Sequence, residues 1–144
     1  MITSSKQITK HFHSTEFKCK HCGVIKVDER LVNNMEKVFS KLNASKCIIS
    51  SGYRCDSYDI KIGGFVGQHA KGYAADCIYY DKNNKPIPSK YVICAAYDLD
   101  LFRGIAKIND NYTWDISDNI SYCSICYNFK TILISSKHGD SNKS

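Results

Sequence analysis

Apolar residues recur at helical spacing in two stretches of the chain. In residues 28–42 the apolar positions fall on one face of a helix with about 3.6 residues per turn. They are Leu31, Val32, Met35, Val38, Phe39 and Leu42. In residues 89–101 a similar spacing follows Ser89, whose side chain is a suitable helix N-cap. The pattern therefore predicts two helices.

Short apolar runs between polar or glycine-containing segments predict the strands. Residues 47–50 and Ala74–Tyr80 have the continuous apolar character of buried strands, and residues 102–108 and 112–116 flank a turn-forming Asn-Asp-Asn segment. Residues 129–134 have the pattern of a further edge strand. This order of elements predicts an α+β fold in which a mainly antiparallel sheet packs against the first helix.

The length of the chain, 144 residues, is enough for one domain core. We assign residues 1–134 to this domain and predict a disordered tail for residues 135–144, which contain no apolar residue. The N-terminal residues lack the apolar segment of a signal peptide, and no run of about 18 apolar residues could span a bilayer. We therefore expect a monomer that is made in the cytoplasm and has no membrane partner.

The formal net charge of +6 comes from 20 Lys and Arg residues against 14 Asp and Glu residues. These basic residues are scattered along the chain and form no block. Scattered positive charge favours polyanions only weakly, whether the polyanion is a nucleic acid or an anionic cell wall. Charge alone therefore assigns no partner.

The segment HAKGYAAD carries the most informative polar residues. His69 and Asp76 lie on either side of a tight turn at Gly72, so an imidazole and a carboxylate can face the same point. Both are suitable zinc ligands, and they leave room for a third protein ligand and a water molecule. Upstream, the turn SSGYR presents Arg54, the side chain best shaped to hold a carboxylate with two hydrogen bonds.

The order of these segments resembles that of the zinc D-Ala-D-Ala carboxypeptidases and related peptidoglycan peptidases, whose metal fold is shared with the Hedgehog signalling domain. The resemblance covers roughly residues 12–116 and rests on five cues in the same order. They are the entry segment HFHSTEFKCKHCG, the helix start VDERLVNNMEKVF, the turn SSGYR, the paired glycines Gly63 and Gly64, and the motif HAKGYAAD. Five ordered cues are far more specific than any one of them.

The resemblance implies that His69 and Asp76 bind zinc, and that Arg54 and the adjacent Tyr53 hold the terminal carboxylate of the substrate. It implies a zinc-dependent D,D-carboxypeptidase or endopeptidase that acts on D-amino-acid-containing peptides of bacterial peptidoglycan. A chain without a signal peptide would reach the wall only after release by lysis or as part of a phage particle.

One departure from the family affects the metal site. The family takes its third zinc ligand from a His-x-Asp element on a late hairpin strand; here Asp115 matches the Asp, but Thr113 stands in the position of the His. A neutral hydroxyl is a poor zinc donor. Asp110 and Asp115 are the candidates for taking a proton during catalysis. Three interpretations stay open: zinc binding through another donor, weak binding through two ligands and water, or an inactive site that retains only recognition.

The cysteines offer a rival interpretation. Cys19 and Cys22 form one CxxC pair, and Cys123 and Cys126 form another, a spacing typical of structural zinc sites. However, about a hundred residues separate the pairs, whereas zinc ribbons have about 15–20. Buried thiols or a redox pair are the alternatives, and a nucleic-acid-binding ribbon is the less favoured function. The apolar surroundings of Cys47, Cys77 and Cys94 predict core residues.

Overall fold

The computed structural model of the chain describes residues 1–61 and 67–100, together with the backbone of residues 104–108 and 111–115. The helices are α1 (Glu29–Leu42), α2 (Asp56–Lys61) and α3 (Ser89–Leu99), and 3₁₀ turns lie at Ser14–Phe17 and His69–Lys71. The strands are β1 (Lys46–Ser51), β2 (Ala74–Tyr80), β3 (Gly104–Ile108) and β4 (Asn111–Asp115). The predicted α+β fold is confirmed. The strand predicted at residues 129–134 and the tail at residues 135–144 lie outside the described residues.

The four strands form one antiparallel sheet in the order β1-β2-β4-β3. The hairpin of β3 and β4 therefore joins the sheet through β4, which pairs with β2. In this register Asp76 of β2 is the partner of Thr113 of β4. Two residues that are far apart in sequence thus become neighbours across the sheet.

Helix α1 has clear signals at both ends. The Asp28 carboxylate accepts a hydrogen bond from the Arg30 backbone N–H at 2.8 Å and caps the first turn. Asn43 adopts the left-handed conformation at φ 53°, and its N–H bonds to carbonyls of the last turn. Between these ends the predicted apolar face is buried, with only Leu42 partly so. Local capping and core burial therefore specify the same helix.

The core joins α1, α3, the N-terminal segment and one face of β2. Alternate residues of β2, Ala75, Cys77 and Tyr79, are fully buried in this core, and the Tyr79 hydroxyl donates to the Met35 carbonyl at 2.9 Å. Because side chains alternate along a strand, Asp76 points to the opposite face of the sheet. Burial of these alternate residues anchors β2, and this fixes the position of the Asp76 carboxylate on the other face of the sheet.

Strand β1 contains a bulge where it approaches Asp76. Ile49 pairs with Cys77 and Ser51 pairs with Asp76, so Ser50 is an extra residue in β1. The bulge brings Ser51 opposite Asp76, immediately before the turn that carries Arg54. Bulges commonly re-aim side chains beside functional sites.

Three details differ from the sequence-based expectations. The N-cap of α3 is Pro88 and not Ser89, because the extended backbone of Pro88 makes Ser89 the first helical residue. The helix ends at Leu99, since Asp100 turns left-handed at φ 54° and its N–H bonds to the Ala96 and Tyr97 carbonyls. Helix α2 was not predicted, because six residues are too few to show a period.

The prediction that Cys94 is a core residue is wrong. Cys77 is buried and Cys47 packs against the core, but Cys94 is exposed on α3, where its neighbours Ile93 and Ala95 are buried. The apolar run around Cys94 extends around more of the helix than the face that the core covers.

Within residues 1–61 and 67–100, no helix combines the length and apolarity that crossing a bilayer requires.

Candidate functional site

His69 and Asp76 meet near the start of β2, on the face of the sheet opposite the core. The His69 Nε2 atom lies 3.4 Å from the Asp76 Oδ1 atom. The His69 Nδ1 atom lies 2.8 Å from the Gly52 carbonyl oxygen. Because a carbonyl only accepts hydrogen bonds, Nδ1 carries a proton, and in the neutral imidazole the lone pair is then on Nε2. The ring is therefore oriented with its basic nitrogen towards Asp76.

The predicted turn at Gly72 holds His69 in this place. Gly72 has a left-handed backbone at φ 78°, and its N–H bonds to the His69 carbonyl at 3.2 Å. A Cβ atom at Gly72 would lie 2.8 Å from the Lys26 carbonyl oxygen, which is closer than a side chain can approach. Only glycine fits both the backbone conformation and the space. The turn connects His69 directly to the start of β2.

Arg54 completes the group. Its Nη2 atom donates to the Asp76 Oδ2 atom at 3.2 Å, and its Nε atom donates to the Ser51 hydroxyl at 2.9 Å. The side chains of Arg54, Asp76 and His69 are 18%, 11% and 12% exposed. One carboxylate thus bridges an imidazole and a guanidinium in a largely enclosed place. We refer to these three residues as the His69 site.

The geometry of the His69 site fits two zinc ligands. Two nitrogen or oxygen donors about 2.1 Å from a tetrahedral zinc ion lie about 3.4 Å from each other. The separation of His69 Nε2 and Asp76 Oδ1 is 3.4 Å. The carbonyl bound to Nδ1 is the usual outer partner of a zinc-bound histidine. A third donor is not found among the fully described residues.

Thr113, at the position where the resemblance predicts the third zinc ligand, lies on strand β4. Thr113 is the register partner of Asp76, which puts it next to the His69 site along the sheet. Asp115 pairs with Ala74 and Gly104, two positions further along β4. Asp110 lies outside the described residues, as do Gly63 and Gly64. The roles assigned to Asp110 and Asp115 therefore stay predictions.

The other histidines of the described part are engaged elsewhere. His11 stacks on Phe39 and pairs with Glu36 at 2.6 Å, and His13 caps the 3₁₀ turn at Ser14–Phe17. His21 stacks on Tyr58. Among the described residues, none of these three histidines forms a metal-binding group with His69 and Asp76.

Tyr53 lies beside Arg54 on the same turn. Its backbone N–H bonds to the Phe17 carbonyl at 2.8 Å, and the Lys26 ammonium lies 5.8 Å from the centre of its ring. Partial burial and the nearby Cys22 thiol raise the pKa of its hydroxyl. The turn is held firmly, but a substrate contact by Tyr53 stays a prediction.

A second group of donors was not anticipated from the sequence. The sulfur atoms of Cys19, Cys22 and Cys55 all lie within 4.8 Å of one another. We call these three residues the cysteine cluster; among the described residues they form the single group of three metal-binding side chains this close together. Cys55 directly follows Arg54, so the two sites share one turn. A lone cysteine 33 residues after a CxxC pair gives no recognisable spacing signal.

Hydrogen bonds set the ionisation of the cluster. Burial opposes ionisation of Cys19, but the backbone N–H groups of Cys55, Cys22 and His21 outweigh it and lower its pKa. Hydrogen bonds from the Ser57 hydroxyl and the Tyr58 N–H lower the pKa of Cys55. Cys19 and Cys55 therefore lose their protons more readily than an ordinary cysteine, whereas contacts with the Cys19 and Cys55 sulfur atoms help to raise the pKa of Cys22.

The four-cysteine zinc site stays a prediction. Its first pair, Cys19 and Cys22, is present in the cysteine cluster, but Cys123 and Cys126 lie outside the described residues. The first pair nevertheless has a third thiol partner already, in Cys55.

The comparisons with known proteins bear on the identity of the chain. A family model described as Peptidase M15 matches residues 6–113. This range begins before the entry segment and ends at Thr113, so it contains the His69 site and the cysteine cluster. Searches of curated proteins and of solved structures gave no significant match.

Proposed function

Because the chain belongs to the peptidase M15 family, we propose that its His69 site recognises D-amino-acid-containing peptides of bacterial peptidoglycan and holds zinc through an incomplete ligand set. The family supports a zinc metallopeptidase-like domain. The finer points, namely the substrate, the strength of metal binding and any action at the wall after lysis or in a phage particle, belong to this proposal.

One observation carries the proposal. The Asp76 carboxylate contacts His69 with one oxygen and Arg54 with the other, at 3.4 Å and 3.2 Å. The two proposed metal ligands are therefore adjacent to the proposed carboxylate-binding cation. This is the arrangement needed to hold the end of a peptide beside a zinc ion.

Each residue has a separate task in this proposal. His69 and Asp76 would hold zinc, and the Gly52 carbonyl keeps the His69 ring in the correct orientation. Arg54 would bind the terminal carboxylate of the peptide, with Ser51 fixing its guanidinium plane. The chemistry that zinc supplies in such sites, when bound, is polarisation of the scissile carbonyl and acidification of a water molecule.

The third ligand decides between hydrolysis and binding. Catalytic zinc sites usually have three protein ligands and one open position. With Thr113 opposite Asp76, two strong donors remain, and extra water molecules hold a metal loosely. We therefore expect weak zinc binding and slow or absent hydrolysis.

A binding module without catalysis is the second candidate function. It is favoured by the ion pair between Arg54 and Asp76, which neutralises the carboxylate without any metal. In that state the site can still recognise a carboxylate, but it has no means of activating water.

Peptide binding tests the recognition step. A peptide that ends in D-Ala-D-Ala should bind the natural chain, and Arg54→Gln should weaken binding about 10-fold or more, since a hydrogen-bonded charge contributes about 1.5–3 kcal/mol. Arg30→Gln is the matched control, because Arg30 is a mostly exposed arginine that pairs with Asp28. Isothermal calorimetry measures both effects.

The same experiment can contradict the proposal in two ways. Equal binding of a peptide with an amidated C-terminus would show that Arg54 does not anchor a carboxylate. Equal binding of an L-Ala-L-Ala peptide would remove the preference for D-amino acids.

A further inference from the structure

The cysteine cluster has no part in the proposed peptide site, and its geometry is that of a metal site. Cys19 and Cys22 come from the entry segment, and Cys55 comes from the turn after β1. Cys19 is buried, Cys55 is partly buried and Cys22 is exposed. Three thiols from two distant segments thus converge at the surface of the domain.

Backbone contacts bring these thiols together. Within the entry segment, the Gly23 N–H bonds to the Cys19 carbonyl at 2.8 Å, and the Cys19 N–H bonds to the Val24 carbonyl at 2.9 Å. Gly23 has a left-handed backbone at φ 77°, which closes this loop and folds Cys22 back towards Cys19. The loop therefore fixes the first two sulfur atoms.

The third sulfur atom is fixed by a close approach of two backbones. The Tyr53 N–H bonds to the Phe17 carbonyl at 2.8 Å. A Cβ atom at Gly52 would lie 2.5 Å from that same carbonyl oxygen, so the two segments are in direct contact. The Cys55 N–H then points at the Cys19 sulfur, at 3.4 Å. Backbone N–H groups of this kind stabilise thiolates bound to a metal.

We propose that Cys19, Cys22 and Cys55 bind one structural zinc ion and that His21 supplies the fourth ligand. Sulfur ligands about 2.3 Å from a tetrahedral zinc ion lie about 3.8 Å apart. The three sulfur atoms lie within 4.8 Å, so they need to approach one another by about 1 Å at most. Three cysteines and one histidine are a common ligand set for structural zinc.

His21 is placed close to this set. Its Nδ1 atom lies 3.3 Å from the Cys55 sulfur, compared with about 3.5 Å expected between nitrogen and sulfur ligands of one zinc ion. Its ring stacks on Tyr58, with 5.6 Å between ring centres and 15° between planes. The ring is exposed, and of the three sulfur atoms it contacts that of Cys55.

Zinc in this place would join the entry segment to the turn that carries Arg54. These two segments are otherwise connected near the cluster by a few backbone hydrogen bonds. A bound ion adds its binding free energy to the folded state, because the unfolded chain does not present the same ligands. The ion therefore stabilises the domain and holds the base of the His69 site.

The first test is the metal content of the full chain, purified under reducing conditions without added zinc. The natural chain and His69→Ala should both retain about one zinc ion per chain. Cys55→Ser should lose it, whereas Cys94→Ser, which changes an exposed cysteine outside the cluster, should keep it. If Cys55→Ser retains the ion, or if His69→Ala loses it, the proposal is wrong.

Two more variants test the ligand set. His21→Ala should weaken zinc binding about 10-fold or more, by competition with a chromophoric chelator. An unchanged affinity would remove His21 from the site. Cys126→Ser should keep the ion; its loss would support the four-cysteine site instead.

A second measurement does not require a folded variant. Cobalt substituted into the natural chain should give the near-ultraviolet absorption of thiolate-to-cobalt charge transfer. Bound zinc should protect Cys19, Cys22 and Cys55 from alkylation, as mapped by peptide mass spectrometry. A disulfide among these three cysteines in the reduced preparation, without metal, would overturn the proposal.

Discussion

The His69 site and the cysteine cluster use different donors and different parts of the fold. The His69 site has nitrogen and oxygen donors, and its carboxylate is fixed by strand β2. The cysteine cluster has three sulfur donors, all of them in loops. In our proposals the first has two of the three zinc ligands expected from its family, whereas the second has three thiols and a nearby histidine. Under our two proposals, the cysteine cluster should bind zinc more strongly than the site at the family's metal position.

Both sites nevertheless depend on the turn at residues 52–55. The Gly52 carbonyl orients His69, Arg54 pairs with Asp76, and Cys55 completes the cysteine cluster. Three of these four consecutive residues thus contribute to the two sites. A change in this turn should affect both, and a change elsewhere should separate them.

The largest effect is expected from Gly52→Ala, which tests this shared support. The added Cβ would meet the Phe17 backbone at 2.5 Å and force the two segments apart. We expect a loss of about 3 kcal/mol in the free energy of unfolding, measured by urea denaturation, and loss of metal from the cysteine cluster.

Gly23→Ala is the control for this change. Gly23 also has positive φ, but its Cβ would meet nothing within 4 Å, so we expect a loss of about 1 kcal/mol. Equal losses for both variants would show that the contact with Phe17 is unimportant.

The next effect is expected from Thr113→His, which tests the missing ligand. Because Thr113 is the partner of Asp76, a histidine there supplies the family's third donor. Zinc affinity of the His69 site should rise about 100-fold, or about 2.7 kcal/mol, with measurable peptide hydrolysis. The measurement uses a Cys55→Ser background, so that only one site binds zinc. A natural chain that already binds zinc tightly and hydrolyses peptides equally fast would contradict our view of this site.

A smaller effect is expected from Arg54→Gln on the metal-free fold. The ion pair with Asp76 is largely buried, and its loss leaves a carboxylate without its cation, at a cost of about 2 kcal/mol. Arg30→Gln, at a side chain that is 68% exposed, should cost less than about 0.5 kcal/mol. In a Cys55→Ser background, where zinc can bind only at the His69 site, added zinc should recover part of the loss in Arg54→Gln, because the ion replaces the missing cation. Thermal unfolding with and without zinc gives both quantities.

The smallest effect is a difference in thiol reactivity with pH. The Ser57 hydrogen bond lowers the pKa of Cys55, whereas burial and the Asp98 charge raise the pKa of Cys94. The thiolate is the reactive form, so in metal-free protein at about pH 7 Cys55 should be alkylated several-fold faster than Cys94. As pH rises towards the pKa of Cys94, the two rates should converge. Faster reaction of Cys94 at neutral pH would contradict this order.

The helices and strands could be predicted from the sequence because the signals that specify them are local. Helix α1 combines a periodic apolar face with an N-cap at Asp28, and strand β2 spans the predicted residues Ala74–Tyr80. Ser89 failed as an N-cap because proline occupies the preceding position and has the extended backbone itself. Helix α2 lacks any periodic signal because it has only six residues.

The residues of the two sites could be predicted from the sequence only in part. The ordered motifs led to His69, Asp76 and Arg54, which lie together in the structure, although their roles are proposed. Cys55 was missed because its partners are more than 30 residues away, and contacts between two loops, such as that of Gly52 with Phe17, bring them close. Such a contact depends on the packing of two loops, which no local pattern encodes.

The bulge at Ser50 also affects how this sheet can tolerate insertions and deletions. Deleting Ser50 would give β1 a regular ladder with β2, but it would shorten the connection to the turn by one residue. The pairs from Lys46 to Ile49 could stay in place, while Ser51 and the residues after it would be pulled towards the sheet. A one-residue deletion there would thus leave the core pairing intact and misplace the entire turn. Length variation in this strand is therefore limited by the two sites and not by the hydrophobic core.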